Sequence, residues 1–232
     1  MRRTLCVLAW VAVACVSFAA PEEPDPDPNP FMSGWDRPVD PDGDCKFLRA
    51  RGGLTIRVPG KDHDLAAERK LMNSPRLLRA VEGDFVAEVR VGGKFVPSAG
   101  STTTERIPFV GAGLVLLAGE KTYVRLERAA LRKGGEVKTY ANWELRQEGR
   151  WVLAGEEAVC PLKGKQTYLR LERKGDKLLA SVSEDGKKWT GLKPLELKLP
   201  ARLKLGVCAG TTSTEPFAPR YDGFKLRKGK RD

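Results

Sequence analysis

The chain has 232 residues, with 41 Lys and Arg against 30 Asp and Glu, one histidine and five cysteines. Its formal charge is +11. A single histidine excludes a multi-histidine metal centre. Outside the N-terminus no stretch approaches the roughly 20 apolar residues that a membrane-crossing helix needs.

Arg2 and Arg3 precede an apolar run over residues 5–16, and Ser17-Phe18-Ala19 then places small residues where a signal peptidase cuts. The pattern predicts an export signal over residues 1–19 and an extracytoplasmic protein, secreted or periplasmic. A lipoprotein signal is the rival reading, with Cys15 after Ala12-Val13-Ala14 as the lipid-bearing residue. Residues 20–33 are rich in Pro, Asp, Glu and Asn. Such a segment buries no apolar surface, so it reads as a stiff, disordered spacer. Residues 34–226 are long enough to bury the core of one domain, and residues 227–232 form a basic tail. Setting aside Arg2 and Arg3 lowers the charge by 2, and setting aside Glu22, Glu23, Asp25 and Asp27 raises it by 4, which leaves about +13. That excess suits an anionic glycan or a cell-wall polymer; spread along every segment, it equally suits a solvated surface. Nucleic-acid binding has only the charge behind it, and export argues against it. Cys45, Cys160 and Cys208 lack metal-type or redox-type pair spacing, and three cysteines leave at least one unpaired.

Helical periodicity is nearly absent. Alternating runs predict strands at 54–58, 85–91, 113–117, 122–128, 140–146, 167–173, 178–183, 203–209 and 221–226. Turn signals separate them: Gly92-Gly93, Gly119-Glu120-Lys121, Lys133-Gly134-Gly135, Lys174-Gly175-Asp176 and Asp185-Gly186. Residues 65–72 read as a short helix or an ordered loop. Nine or more short strands at hairpin spacing give an all-β, two-sheet sandwich.

Residues 122–128, Thr-Tyr-Val-Arg-Leu-Glu-Arg, recur as Thr-Tyr-Leu-Arg-Leu-Glu-Arg at 167–173. Side chains alternate across a strand, so Val124, Leu126, Leu169 and Leu171 point into the core. Tyr123, Arg125 and Glu127 form one outward stripe, and Tyr168, Arg170 and Glu172 another. Asn142 and Glu144 continue the pattern on a third strand, with Trp143 and Leu145 inward. The echo suggests two similar strands in one sheet.

Several motifs follow one another in a recognisable order. They are Gly34-Trp35, Asp40-Pro-Asp-Gly-Asp-Cys45, Val58-Pro59-Gly60 with His63-Asp64-Leu65, Asn73-Ser-Pro-Arg76, Gly83-Asp84-Phe85 and Gly111-Ala-Gly113. The paired Tyr-x-Arg-Leu-Glu-Arg strands, Ser183-Glu-Asp-Gly186 with Trp189, and Thr211-Thr-Ser-Thr214 before Phe217 complete the set. The chain resembles the domain of unknown function grouped with the "regulation of enolase" protein, in the concanavalin A-like lectin and glucanase superfamily. The resemblance spans residues 34–226. It implies a concanavalin A-like jelly roll and says little about activity.

Three groups of residues are candidates for chemistry. Tyr123, Arg125, Glu127, Asn142, Glu144, Tyr168, Arg170 and Glu172 are expected to line one concave sheet face and bind a glycan, since sugars suit aromatic faces beside planar hydrogen-bonding groups. The same residues would form cross-strand ion pairs with no ligand at all. Asp40, Asp42 and Asp44 alternate around Pro41 and Gly43. They can converge on calcium or build a polar turn. His63, between Asp62 and Asp64, is a further candidate ligand. No other cofactor is implied. The leading expectation is a non-catalytic, lectin-like binding module. A polysaccharide hydrolase or lyase, drawing on Glu127, Glu144 or Glu172, is one alternative. It lacks the Glu-x-Asp-x-x-Glu strand of laminarinase-type relatives, and arginine neighbours would hold its glutamates ionised. An envelope scaffold or protein-interaction domain is the other. Ser183-Glu-Asp-Gly-Lys-Lys-Trp189 resembles the Asp-box hairpin of sialidase-type proteins, a structural turn.

Overall fold

The computed structural model describes residues 29–50, 52–155 and 160–229. The predicted export signal, its alternative at Cys15 and residues 20–28 lie outside the described residues. The strands, in chain order, are β1 (Lys46–Ala50), β2 (Gly53–Arg57), β3 (Leu65–Ala66), β4 (Leu71–Met72), β5 (Arg76–Glu82), β6 (Phe85–Gly92), β7 (Phe109–Leu117) and β8 (Tyr123–Lys133). They continue as β9 (Glu136–Gln147), β10 (Arg150–Leu153), β11 (Gln166–Lys174), β12 (Lys177–Ser183), β13 (Thr190–Gly191), β14 (Leu195–Glu196), β15 (Arg202–Thr211) and β16 (Arg220–Lys228).

Two antiparallel sheets form a jelly-roll sandwich. One runs β1-β2-β16-β6-β11-β12-β13, with β14 also paired to β12; the other runs β10-β9-β8-β7-β15-β5. Every predicted strand is present. Their alternation puts Leu54, Ile56, Val89, Leu169 and Leu171 of the first sheet against Leu114, Leu126, Trp143, Leu145 and Val207 of the second. Each buried leucine or valine contributes about 1.5–3 kcal/mol. Among the described residues no helix is long and apolar enough to cross a membrane.

Four expectations change. Residues 65–72 form a small hairpin, β3 and β4, around a 3-10 turn at Ala67–Arg69. The echoing strands sit in different sheets: β8 lies between β7 and β9, β11 between β6 and β12. A two-residue period fixes which face a side chain takes, and it carries no information about which sheet the strand joins. The end of the predicted spacer is part of the fold. Phe31 is fully buried, 5.4 Å from the Trp35 ring and 5.8 Å from that of Phe224. One aromatic side chain between acidic and prolyl residues outweighs their solubility once a pocket receives it. The predicted tail likewise begins inside β16, where Arg227 and Lys228 pair with Val86 and Phe85.

The six-stranded sheet is covered on both sides. In β8 every residue from Tyr123 to Leu131 is buried, where an alternating strand with one wet face would show every second residue. The cover is the segment of residues 61–74. Its Leu65 packs with Leu78, Val115, Tyr123 and Cys208 in a second apolar cluster outside the main core.

Candidate functional site

The outer face of the six-stranded sheet carries Arg125, Glu127, Asn142, Glu144 and Arg146, all 6% exposed or less. Arg125 is the hub. Its Nε donates to Glu144 Oε2 at 3.0 Å, and its Nη2 reaches the same oxygen. Its Nη1 donates to Asp64 Oδ1 at 2.7 Å and lies 3.8 Å from Glu127 Oε1. Arg146 joins Glu144, through Nη1 at 2.9 Å, to Glu68 of the covering segment, through Nε at 2.9 Å. Arg106 ties Asp62 at 2.9 Å and Asp64 from another loop. The Tyr123 hydroxyl accepts from the Ala67 amide at 3.1 Å. Sequence alone puts these polar residues on one face; the partners that bury them come from positions 61–74 and 106, too distant in sequence for any periodicity to reveal.

The electrostatics divide within the cluster. Burial alone would raise the Asp64 carboxyl, but the Arg125 and Arg106 guanidiniums outweigh it and hold the group down at about 2. At Glu127 burial wins. Asn142 Nδ2 donates to it at 2.9 Å and the Cys208 thiol at 3.7 Å, and its pKa is raised. At Glu127 the lowering expected from arginine neighbours is outweighed by burial, because Arg125 is committed to Glu144 and Asp64. The adjacent Cys208 thiol, 3.7 Å from Glu127 Oε1, is pushed up by burial and by that carboxylate.

Tyr168, Arg170 and Glu172 lie on the opposite side of the sandwich, on the outer face of the eight-stranded sheet, and are partly exposed. The eight predicted residues thus do not share a face. Tyr123, Arg125, Glu127, Asn142 and Glu144 are sealed beneath residues 61–74, and the other three face solvent. Glu172 cannot flank one glycosidic bond together with Glu127 or Glu144. Arg170 Nε donates to Glu88 Oε1 at 3.0 Å, and its guanidinium lies 3.8 Å above the Trp189 ring. Arg227 reaches the same Glu88 oxygen at 3.1 Å, and Lys174 pairs with Glu172 at 3.1 Å. These residues line a groove of about 910 Å³ together with Lys228. The Asp185-Gly186 turn stands beside it. Asp185 Oδ1 accepts from the Lys187 and Lys188 amides at 2.8 Å, and Gly186, with φ of 73°, rests on the Tyr168 ring.

The third group sits at a loop end. Asp40, Asp42 and Asp44 do not converge on one point. Asp40 Oδ2 accepts from the Cys45 amide at 2.9 Å, Asp42 Oδ2 from Asn73 Nδ2 at 2.8 Å, and Asp44 Oδ2 from Lys61 Nζ at 2.9 Å. Hydrogen bonds to three separate partners splay these carboxylates, so the three do not form the all-oxygen cage that calcium takes. His63 is fully buried, held by a β-bridge to Thr211. Its Nε2 lies 3.2 Å from Asp44 Oδ1 without hydrogen-bond alignment. Its Nδ1 faces the Asn73 carbonyl at 3.4 Å and Asp42 Oδ2 at 3.7 Å. The Cys45 sulfur is 3.6 Å from Asp44 Oδ1, and burial with Asp40 and Asp44 pushes its pKa up. Cys45, Cys160 and Cys208 are all free thiols.

Together these features define an all-β jelly roll with one sealed and one open polar face. No family model matches the chain, and no curated protein matches it. Solved structures do. The chain is similar to a functionally unknown protein from Saccharomyces cerevisiae, with TM-score 0.64, 15% identity, and 85% of this chain and 96% of that chain covered. It is similar to the GH43 protein BlXynB from Bacillus licheniformis, with TM-score 0.58 and 15% identity; 82% of this chain matches 35% of that one. It is also similar to the carbohydrate-binding module CBM66 from Bacillus subtilis, with TM-score 0.50, 12% identity, and 85% and 97% covered. At these identities the likeness is one of fold.

Proposed function

We propose that the chain is an exported, lectin-like module that binds extracytoplasmic carbohydrate, and that the ligand is an anionic glycan held in the groove on the eight-stranded sheet. One observation carries the reading. In that groove Glu88 is shared by Arg170 and Arg227, and Glu172 is paired with Lys174. Five cations, Arg170, Arg173, Lys174, Arg227 and Lys228, therefore face three carboxylates, Asp84, Glu88 and Glu172. The planar Arg170 guanidinium, held over the Trp189 ring, suits a uronate or sulfate on a sugar ring. The jelly-roll likeness to a module titled as carbohydrate-binding supports the reading, and the N-terminal segment of residues 1–19 supports export. Tyr168, Arg170 and Glu172 are the contacts retained; Tyr123, Arg125, Glu127, Asn142 and Glu144 support the fold beneath their cover. Membership of the domain family grouped with the "regulation of enolase" protein belongs to the same proposal.

The test is an array of neutral, uronic and sulfated glycans probed at low salt, with and without calcium. Retention of acidic glycans that Arg170→Ala or Arg227→Ala removes, with melting unchanged, is the expected result. An absence of retention for every class overturns it. A second reading, a scaffold or protein-interaction domain, draws on the ion pairs already closed between Arg170, Arg227 and Glu88. It predicts that Arg170→Glu lowers stability and changes no glycan binding.

A further inference from the structure

We propose that Asp44, Cys45 and His63 form a site for a borderline-soft divalent cation, zinc by its donor set. The argument is independent of the glycan reading and begins with the histidine. Nδ1 faces a backbone carbonyl and a carboxylate oxygen, which only accept, so Nδ1 carries the proton. In the neutral ring Nε2 is then a bare lone pair. It is buried, has no hydrogen-bond partner, and lies 3.2 Å from a carboxylate oxygen out of hydrogen-bond alignment. Two lone pairs so placed repel unless a proton or a metal cation stands between them, and the misalignment of Nε2 with the oxygen suits a shared cation better than a shared proton. A metal-bound histidine commonly has this arrangement, its far nitrogen fixed by a carbonyl or carboxylate.

Both separations measured from Asp44 agree with a tetrahedral centre. Zinc bonds of about 2.0 Å to N and O and about 2.3 Å to S put neighbouring donors roughly 3.3 Å apart for N–O and 3.5 Å for S–O. The observed separations from Asp44 Oδ1 are 3.2 Å to His63 Nε2 and 3.6 Å to Cys45 Sγ. All three donor atoms lie within 4.8 Å of one another. Nitrogen, thiolate sulfur and carboxylate in one cluster select zinc over calcium or magnesium, which take oxygen. His63 immediately precedes Asp64, so a bound ion would pin the covering segment to the loop of residues 40–45.

The full purified chain, stripped with chelator and checked for its β-sheet circular dichroism, is titrated with zinc alone, cobalt(II) alone and calcium alone. The expected result is one equivalent of zinc, and a cobalt complex showing a thiolate charge-transfer band in the near ultraviolet. Cys45→Ser abolishes that band and weakens zinc by at least tenfold, and Asp42→Asn, acting through Nδ1, weakens it about 10–100-fold. Cys160→Ser changes neither. His63→Gln removes binding, and since His63 is buried, the half-buried Cys45 variant decides the matter if the histidine variant fails to fold. A folded chain that takes up no zinc or cobalt overturns the proposal and leaves a histidine–carboxylate ion pair. Uptake unaltered by Cys45→Ser, or uptake of calcium in preference to zinc, overturns it as well.

Discussion

Arg125 Nη1 donates to Asp64 Oδ1 at 2.7 Å, and this bond fastens a central strand of the six-stranded sheet to the segment lying over it. Asp64 is 3% exposed and takes a second guanidinium from Arg106. Removing Arg125 would leave Asp64, Glu144 and Glu127 with unbalanced buried charge. Arg125→Ala should therefore cost about 3–5 kcal/mol, seen as a lower urea midpoint. A variant within 1 kcal/mol of the natural chain would mean that water enters beneath residues 61–74.

Glu127 makes the opposite prediction. Its folded-state pKa is raised above the ordinary value of 4.5, so the folded chain binds the proton more tightly than the unfolded one. Its contribution is most favourable below about pH 4.5 and is lost as the pH rises through the raised value. Glu127→Gln keeps the shape and removes the buried charge. It should stabilise the domain at pH 7 and have less effect at pH 5. Urea melts at pH 5 and pH 7 check both parts, since the variant should show a smaller difference between the two.

Phe31 and Met32 separate core from surface within two residues. Phe31 is fully buried and Met32 is 66% exposed. Phe31→Ala should cost about 3–5 kcal/mol through the cavity it leaves, and Met32→Ala less than about 0.5 kcal/mol. Thermal melts of the two variants measure where the folded domain begins.

On the open face Arg170 is partly solvated, and its ion pair with Glu88 contributes about 1 kcal/mol at most. Arg170→Ala should barely move the melting temperature. It should weaken retention of a sulfated glycan about tenfold, with a shallower dependence on salt. A large loss of stability would assign the arginine to the fold.

The strands were legible because alternation is a local signal. Val124 and Leu126, or Leu169 and Leu171, point inward by the same two-residue period in either sheet. β5 escaped notice because Leu77 and Leu78 are adjacent and both buried, one into the main core and one under the cover, which breaks the alternation. The candidate site was legible by half. The sequence marks Arg125 and Glu144 as polar and outward, and outward usually means wet. Whether a loop folds back over them depends on pairings such as Asp64 with Arg125, 61 positions apart, which no local pattern encodes. His63 and Asp44 were visible singly. Their approach depends on His63 bridging Thr211, and Cys45 gave no spacing signal because its neighbours in the cluster come from two loops.

Phe31 sits between Trp35 and Phe224 while the Trp35 indole donates to the Pro30 carbonyl at 2.8 Å and Asn29 Nδ2 donates to the Gly53 carbonyl at 2.9 Å. Tension arriving along the leading end of the chain meets this plug before it meets the first backbone rungs, Asp36 to the Leu78 carbonyl at 2.7 Å and Val39 with Arg76 at 2.9 Å. The plug would have to be drawn whole from its socket before the first ladder rung felt the load. The domain thus carries its own strain relief, as a cable does where it enters a housing.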